Sequence, residues 1–154
     1  MIDLVCRSEL PGTLRSSLKR GGRAVLKGHG LAGHRLTAVV SGDSELRQLK
    51  LRYWGVDAVT DVLSFPSWVP GDPFVPLHLG DLFLNLEQAE RQAEELGSGR
   101  ERELLLLLSH GITHLAGFDH PAAESLNAQA LPEAPGWEIF NRAAQWAWEA
   151  DRSR

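Results

Sequence analysis

The sequence is organised around residues 109–120, which read Ser-His-Gly-Ile-Thr-His-Leu-Ala-Gly-Phe-Asp-His. His110 and His114 are four residues apart, so on an α-helix their side chains rise from one face, about one turn apart. Two imidazoles placed in this way can bind one metal ion, each through a single ring nitrogen. Gly117 can take a positive φ and end the helix, which lets the chain double back and bring in His120 as a third ligand. Three nitrogen ligands with an open fourth position are typical of a catalytic zinc site.

Position 111 separates this motif from a protease signature. The offsets of the histidines and of Gly117 are those of the metzincin proteases, H-E-x-x-H-x-x-G-x-x-H. Such a protease uses the Glu beside its first histidine as general base, whereas this chain has Gly111 there. Peptide hydrolysis is therefore the weaker hypothesis for a metal site. The alternative to any metal site is a helix end that happens to be rich in histidine.

The segments around the motif predict one α+β domain that spans residues 1–154. Alternating or apolar runs predict four strands, at residues 2–6, 34–41, 60–65 and 79–85. Helices are predicted at residues 10–27, 45–54, 86–96 and 136–150, and another from a Ser98–Glu101 capping box to the histidines. Strands joined through helices favour parallel pairing, while the third and fourth can pair antiparallel through their loop. We expect a four-stranded mixed β-sheet covered by about five helices, with the metal site at the C-terminal end of a long leucine-rich helix.

Three local features of these helices are also predicted. Gly21-Gly22 weakens or splits the first helix. Asp43 or Ser44 caps the second helix. The run Leu104–Leu108 predicts a helix buried on most sides, which is a rigid support for the histidines. The buried stripe of the second helix is predicted to be Leu46, Leu49 and Tyr53.

Composition and the N-terminus bear on the compartment. A chain of 154 residues can bury a core without disulfides, and the single cysteine, Cys6, cannot form an internal one. This suits a reducing compartment. The N-terminus has no basic segment followed by a long apolar one, so we expect no signal peptide. No apolar run is long enough to span a bilayer, and a cytoplasmic protein without membrane contact is expected.

Charge is distributed unevenly along the chain. The net charge is −4, which on average argues weakly against nucleic-acid binding. Residues 1–54 contain ten Lys/Arg and four Asp/Glu, whereas the remainder contains six and sixteen. This asymmetry permits a phosphate-binding face in the N-terminal part. The alternative interpretation is a solvated helix surface.

Three stretches together resemble the YbeY family of bacterial endoribonucleases, also called rRNA maturation factors. They are Thr60-Asp-Val-Leu-Ser-Phe-Pro66, Leu79-Gly-Asp81 and the histidine motif, which matches every fixed position of the family's H-G-x-x-H-L-x-G-[YF]-D-H. The resemblance covers about residues 36–120. It implies a cytoplasmic, single-strand-specific endoribonuclease that acts in 16S rRNA 3′-end maturation and ribosome quality control. It also implies rRNA and the small ribosomal subunit as partners, and one zinc ion held by His110, His114 and His120.

One departure from the family pattern bears on catalysis. The family commonly has Tyr-Arg seven and six residues before its Thr-Asp-Val stretch, and that arginine is implicated in activity. Here Tyr53 is followed by Trp54, and Lys50 stands where the family has an asparagine. The family's arginine therefore has no counterpart at position 54. Arg52 is the candidate substitute, provided that the helix turns it toward the metal.

Three further residues are candidates for the site. Ser64 and Asp81 can place substrate or orient the site, and both can alternatively be structural turn residues. Asp119 can accept a hydrogen bond from a ligand histidine or cap the helix end. The loop over residues 66–78 carries Trp68 and Phe74, which either pack on the body, the more common outcome, or stack on bases. His29 and His34 lie in a glycine-rich connection and are interpreted as loop residues.

The motifs leave three hypotheses for function. Zinc can lower the pKa of bound water from about 15.7 to about 7 and can polarise a phosphoryl oxygen, so RNA cleavage does not need the missing Glu base. The second hypothesis is a zinc-dependent, peptidase-like hydrolase of another substrate. The third is a non-catalytic ribosome-assembly factor in which zinc stabilises the fold and the basic half binds rRNA.

Overall fold

The computed structural model describes residues 1–69, 72–118 and 138–152. These ranges contain four strands and five helices in the order β-α-β-α-β-β-α-α-α, which confirms the predicted α+β class and the predicted order of elements. The elements are β1 (Ile2–Cys6), α1 (Gly12–Gly28), β2 (Arg35–Ser41), α2 (Asp43–Trp54), β3 (Val62–Pro66), β4 (His78–Asn85), α3 (Leu86–Leu96), α4 (Arg100–Leu115) and α5 (Glu138–Arg152).

The four strands form one mixed sheet in the order β1-β2-β4-β3. β1 pairs with β2 and β2 with β4 in parallel, with Val39 of β2 opposite Phe83 of β4. β3 pairs with β4 antiparallel, and Leu63 is the other neighbour of Phe83. The predicted pairing is confirmed: α1 connects β1 to β2, the connection from β2 to β4 runs through α2 and β3, and a loop joins β3 to β4. β3 is consequently an edge strand, and the candidate site lies beside it.

α4 is the central helix of the fold. It packs against β3 and β4 on the sheet and against α1, α3 and α5 among the helices. Its leucines 104, 105, 107 and 108 are fully or almost fully buried, as the leucine run predicted. Within the described ranges, no helix is long and apolar enough to cross a membrane.

Gly21-Gly22 was predicted to weaken or split the first helix, and α1 runs unbroken through the pair, so the predicted split was wrong. The two glycines are buried where α1 meets its neighbours. A Cβ atom added at Gly21 would lie 2.5 Å from Leu105 Cδ2 of α4, and one at Gly22 would lie 3.0 Å from Ile2 of β1. The glycines therefore allow close packing, and the packing compensates for their low helix propensity.

Two predicted helix starts and one predicted stripe also differ from the structure. α2 begins after Gly42 and not after Asp43 or Ser44, and α4 begins after Gly99. The predicted Ser98–Glu101 capping box is not formed, because the Ser98 hydroxyl donates to the Glu103 carboxylate (2.8 Å). Within the sheet, α2 packs mainly against β3 and β4. As a result, Leu46 is its one buried residue, Leu49 is half-buried, and Tyr53 is 58% exposed with its ring edge on Phe65.

Candidate metal centre

The histidine pair lies on the last two turns of α4. The Nε2 atoms of His110 and His114 are 2.9 Å apart, and His110 is only 3% exposed. Two nitrogen ligands of one tetrahedral zinc ion, at about 2.0–2.1 Å from it, are separated by about 3.3 Å. The observed separation is a few tenths of an ångström smaller, and a small rotation of one ring would increase it to that value. The pair therefore fits as two ligands of one ion.

The end of α4 has the geometry that the sequence predicts. Gly117 has a φ of 102°. The Gly117 N–H donates to the His114 carbonyl (2.9 Å) and the Phe118 N–H to that of Thr113 (3.2 Å). This pair of bonds is a Schellman motif, which ends the helix and reverses the chain. The two residues that follow, Asp119 and His120, lie outside the described residues.

The third zinc ligand therefore stays a prediction. In the part of the chain that the structure describes, no three His, Cys, Asp or Glu residues cluster in a way that could hold a metal ion. His110 and His114 supply two donors, and the predicted third donor, His120, belongs to the undescribed range 119–137. The two predicted roles of Asp119, as hydrogen-bond acceptor for a ligand histidine or as cap of the helix end, stay predictions for the same reason.

Phe140 of α5 packs against both histidine rings. Its ring centroid lies 4.7 Å from that of His110 and 5.2 Å from that of His114. Phe140 itself is 3% exposed, so it is fixed by the core. Such packing limits the rotamers of both imidazoles, which a metal site needs if its ligands are to be held in place.

His29 contacts the same helix end through Thr113. Its Nε2 lies 2.9 Å from Thr113 Oγ1, and the Thr113 hydroxyl donates to the Ser109 carbonyl (2.8 Å). The Thr113 oxygen therefore accepts from a His29 Nε2–H. The His29 ring also stacks on Phe118, and burial lowers the pKa of His29 below its usual value. His29 is a turn residue as predicted, but its contact with α4 could not be read from sequence spacing.

Gly111 faces the sheet and not the histidine cleft. A Cβ atom built there would lie 2.8 Å from Cδ2 of Leu82 in β4, a residue that is completely buried. A side chain at position 111 would enter the core between α4 and β4. The position is thus unsuited to a general base, and this physical reason adds to the sequence argument against a protease.

The histidine pair opens into a cleft of about 550 Å³ between α2, β3 and the end of α4. Lys50 and Trp54 line it from α2, and Ser64 lines it from the edge strand. His110 and His114 lie on the α4 side of the same cleft. The structure therefore brings together two predicted ligands and one predicted substrate-placing residue.

Trp68 forms a further wall of this cleft. Its indole Nε1–H donates to the carbonyl of Leu115 (2.9 Å), one of the last carbonyls of α4. This contact agrees with the prediction that Trp68 packs on the body. Phe74, the other aromatic residue of the loop, is 82% exposed.

Two predicted site residues lie away from the cleft. Asp81 is opposite Phe65 in the β3–β4 register, on the other face of the sheet from Leu82 and α4, and its carboxylate is 3.7 Å from His78 Nε2. Arg52 is exposed, and its guanidinium lies 5.6 Å from the Tyr53 ring centroid. Arg52 is not among the residues that line the cleft.

Lys50 lies in the cleft, although the sequence did not predict it as a site residue. It was predicted to lie on or beside the exposed side of α2, yet it lines the cleft, and Trp54 lies one turn further on. The signal that was available is the spacing of Leu46, Lys50 and Trp54. These residues follow one another at four-residue intervals from a fully buried position toward the helix end.

The fold and the site together define an α+β protein with a candidate metal centre beside an edge strand. A family model described as endoribonuclease YbeY matches residues 14–131. The chain belongs to this family.

Two relatives and one solved structure agree with this assignment. Endoribonuclease YbeY of Deinococcus radiodurans is 48% identical over 147 residues, which cover 96% of this chain and 94% of the relative. Endoribonuclease YbeY of Thermus thermophilus is 41% identical over 145 residues, with 94% and 96% covered. The solution structure of a protein from Thermotoga maritima is similar with a TM-score of 0.64 and 25% identity, covering 99% of this chain and 93% of that one.

Proposed function

We propose that this protein is a cytoplasmic, single-strand-specific, zinc-dependent endoribonuclease that acts in 16S rRNA 3′-end processing and ribosome quality control. Its partners are then rRNA and the small ribosomal subunit. The observation that carries the proposal is the histidine pair, with Nε2 atoms 2.9 Å apart, at the side of a cleft large enough for a nucleotide. Membership of the endoribonuclease YbeY family supports the choice of RNA as substrate.

His110, His114 and His120 would hold one zinc ion, with the single domain of residues 1–154 as the scaffold. When bound, the ion supplies a Lewis acid and lowers the pKa of its water toward neutrality. The remaining work belongs to side chains of this protein. Phe140 restricts the orientation of the imidazoles, and Trp68 lines the cleft beside the end of α4. Ser64 offers a hydroxyl that can hydrogen-bond to a substrate oxygen.

The exposed side of α1 supports an RNA partner. It carries four basic residues at four-residue intervals, so they share one face of the helix. Among the described residues, the one salt bridge made by a basic residue of α1 is that of Arg20 with Asp151 (3.0 Å), and the four are left without an acidic partner there. Like charges at this spacing destabilise a helix, and a phosphate backbone would offset the repulsion. The four residues, called here the α1 basic face, are Arg15, Lys19, Arg23 and Lys27.

The test is the loss of zinc and of RNA cleavage in one variant. In His114→Ala, purified to homogeneity beside the wild-type protein, we expect bound zinc and cleavage of single-stranded rRNA fragments to fall together, activity by at least about a hundredfold. Chelation of the wild-type protein should remove the activity, and added zinc should restore it. Undiminished cleavage by metal-free protein would rule out the proposed site.

A non-catalytic assembly factor is the second candidate, and one observation favours it. Trp54 occupies the place of the family's arginine, and Arg52, the predicted substitute, lies outside the cleft. That candidate predicts tight, salt-sensitive binding of rRNA without turnover. Cleavage that copurifies with the wild-type protein and is absent from His114→Ala excludes it. The peptidase-like alternative is disfavoured, because position 111 faces the core and has no room for the side chain of a general base.

A further inference from the structure

The face of α2 that carries Lys50 and Trp54 is oriented by the core. Leu46, one turn before Lys50, is completely buried under the helix. Residues at four-residue intervals follow nearly one line along a helix. That line therefore starts in the core at Leu46 and reaches the cleft at Lys50 and Trp54, which line it from α2, while His110 and His114 line it from α4.

Lys50 supplies a positive charge to the cleft. Among the described residues that line it, Lys50 is the one Lys or Arg, and there is no Asp or Glu. Lys50 makes no salt bridge with any described residue. The other cations of α2 have different positions, since Arg47 makes a bidentate pair with Asp57 (2.6 and 3.1 Å) and Arg52 lies over Tyr53. An ammonium group without an acidic partner in a cleft makes the cleft attractive to an anion.

Trp54 presents a supported aromatic ring to the same cleft. Trp54 as a whole residue is 50% exposed, which is unusual for a residue whose role is core packing. Phe65 and Tyr53 contact it, with ring centroids 5.4 and 6.4 Å away, and Phe65 in turn packs on Phe83 of β4. Trp54 thus rests on an aromatic cluster anchored in the sheet. A ring held in this way is a suitable platform for a nucleobase.

We propose that Lys50 and Trp54 form a nucleotide subsite, in which Lys50 binds a backbone phosphate and Trp54 stacks on a neighbouring base. This inference rests on the proposed function and names the groups that would recognise RNA at the candidate site. It also gives a physical reason for the single-strand preference. A base within a duplex is stacked on both faces and cannot reach Trp54, whereas an unpaired base can.

The charge half of the proposal is tested by replacing three cations one at a time in the full-length, zinc-loaded protein. Lys50→Met should weaken binding of a fluorescein-labelled single-stranded RNA about tenfold, measured by anisotropy, and should raise the KM for its cleavage. It should also lower the slope of log K against log salt by about 0.7, the loss of one phosphate contact. Lys50→Arg should restore most of the affinity, and Arg35→Met, at an exposed position of β2 outside the cleft, should change affinity less than twofold. Arg52→Met is compared with Lys50→Met to decide which of these two cations of α2 binds the phosphate.

The stacking half is tested by removing bases from the ligand. Abasic substitution along the RNA should identify one position that costs the wild-type protein about tenfold in affinity. In Trp54→Ala the same abasic substitution should cost little, because the base then has no ring to stack on. Trp54→Phe should keep part of the effect, and it serves as the test variant if Trp54→Ala does not fold.

The outcomes separate this inference from the proposed function. If the wild-type protein neither binds nor cleaves RNA, the proposed function fails. If it does both, two results overturn the subsite: equal loss in Lys50→Met and Arg35→Met, or a larger loss in Arg52→Met than in Lys50→Met. An abasic penalty that is the same in wild type and in the Trp54 variants overturns the stacking role alone.

Discussion

At the scale of single residues, the helix that carries the histidine pair is contacted by a residue that no metal motif contains. His29, at the end of α1, donates to Thr113, which in turn donates to the Ser109 carbonyl on α4. The aromatic rings of Phe118 and Trp146 lie against its imidazole, 5.5 and 5.3 Å away between centroids. None of these neighbours carries a charge that would stabilise an imidazolium. The neutral form of His29 is therefore part of the folded structure.

This arrangement predicts a loss of stability on acidification. Burial lowers the pKa of His29 in the folded state below the usual value of 6.5, which the unfolded chain keeps. The unfolded chain therefore binds a proton more readily. The contribution of His29 is complete above about pH 6.5 and is lost as the pH falls toward the folded-state pKa, by about 1.4 kcal/mol for each pKa unit that separates the two states.

The measurement is the free energy of unfolding in urea at several pH values between 7.5 and 5. His29→Gln is compared with wild type at each pH, both saturated with zinc, so that the difference isolates the contribution of position 29. The stability difference between wild type and variant should shrink as the pH falls. A difference that is constant with pH would contradict a buried neutral His29.

At the scale of elements, the contact between α1 and α4 depends on a glycine. Alanine normally improves a helix interior by about 1 kcal/mol over glycine. At position 21, however, its Cβ would approach Leu105 Cδ2 to 2.5 Å and Ala147 Cβ to 3.3 Å. Overpacking of a close-packed core costs about 1–3 kcal/mol. We expect Gly21→Ala to lower the free energy of unfolding by about 1 kcal/mol, measured by urea denaturation.

Gly12→Ala is the matched control. Gly12 lies in the first turn of the same helix, and no atom lies within 4 Å of a Cβ built there. That substitution should leave stability unchanged or raise it slightly. If Gly21→Ala raised stability as well, Gly21 would be a weak point of the helix, as its sequence alone indicates, and not a packing site.

Elements whose limits are set locally could be predicted from the sequence. α3 has its predicted bounds because Asn85 accepts a hydrogen bond from the Gln88 N–H at one end and Gly97 has a φ of 67° at the other. The turn after α4 was predicted correctly for the same reason, since Gly117 alone permits it. Whether a glycine pair breaks a helix depends instead on what packs against it, which the pattern of α1 does not contain.

The residues of the candidate site also differ in whether they could be predicted from local sequence or only from packing. The spacing of His110 and His114 is a property of one helix, so their pairing was predictable. The choice between Lys50 and Arg52 depends on how α2 is rotated against the sheet. Asp81 looked like a site residue because it follows Gly80 in a matching motif, yet strand alternation turns it to the opposite face from α4.

At the scale of the whole molecule, the net charge of −4 conceals an uneven distribution of charge along the chain. The basic residues of the first 54 positions include the α1 basic face and Lys50 of the cleft, whereas the acidic excess lies in the later part of the chain. Because the attraction between a cationic face and phosphates is screened by salt, the contribution of the α1 basic face to RNA binding can be measured through ionic strength.

The last prediction concerns the α1 basic face. Arg15→Gln combined with Arg23→Gln should weaken binding of single-stranded RNA about tenfold at low salt and lower the slope of log K against log salt by about 1.4, two phosphate contacts. Zinc content should not change, and the free energy of unfolding should rise by a few tenths of a kcal/mol because like-charge repulsion along α1 is relieved. The control is Arg142→Gln combined with Arg152→Gln, two exposed arginines of α5. If both double variants lower the slope equally, RNA responds to total charge and the α1 basic face has no special role; a loss confined to the α1 variant identifies it as a contact surface.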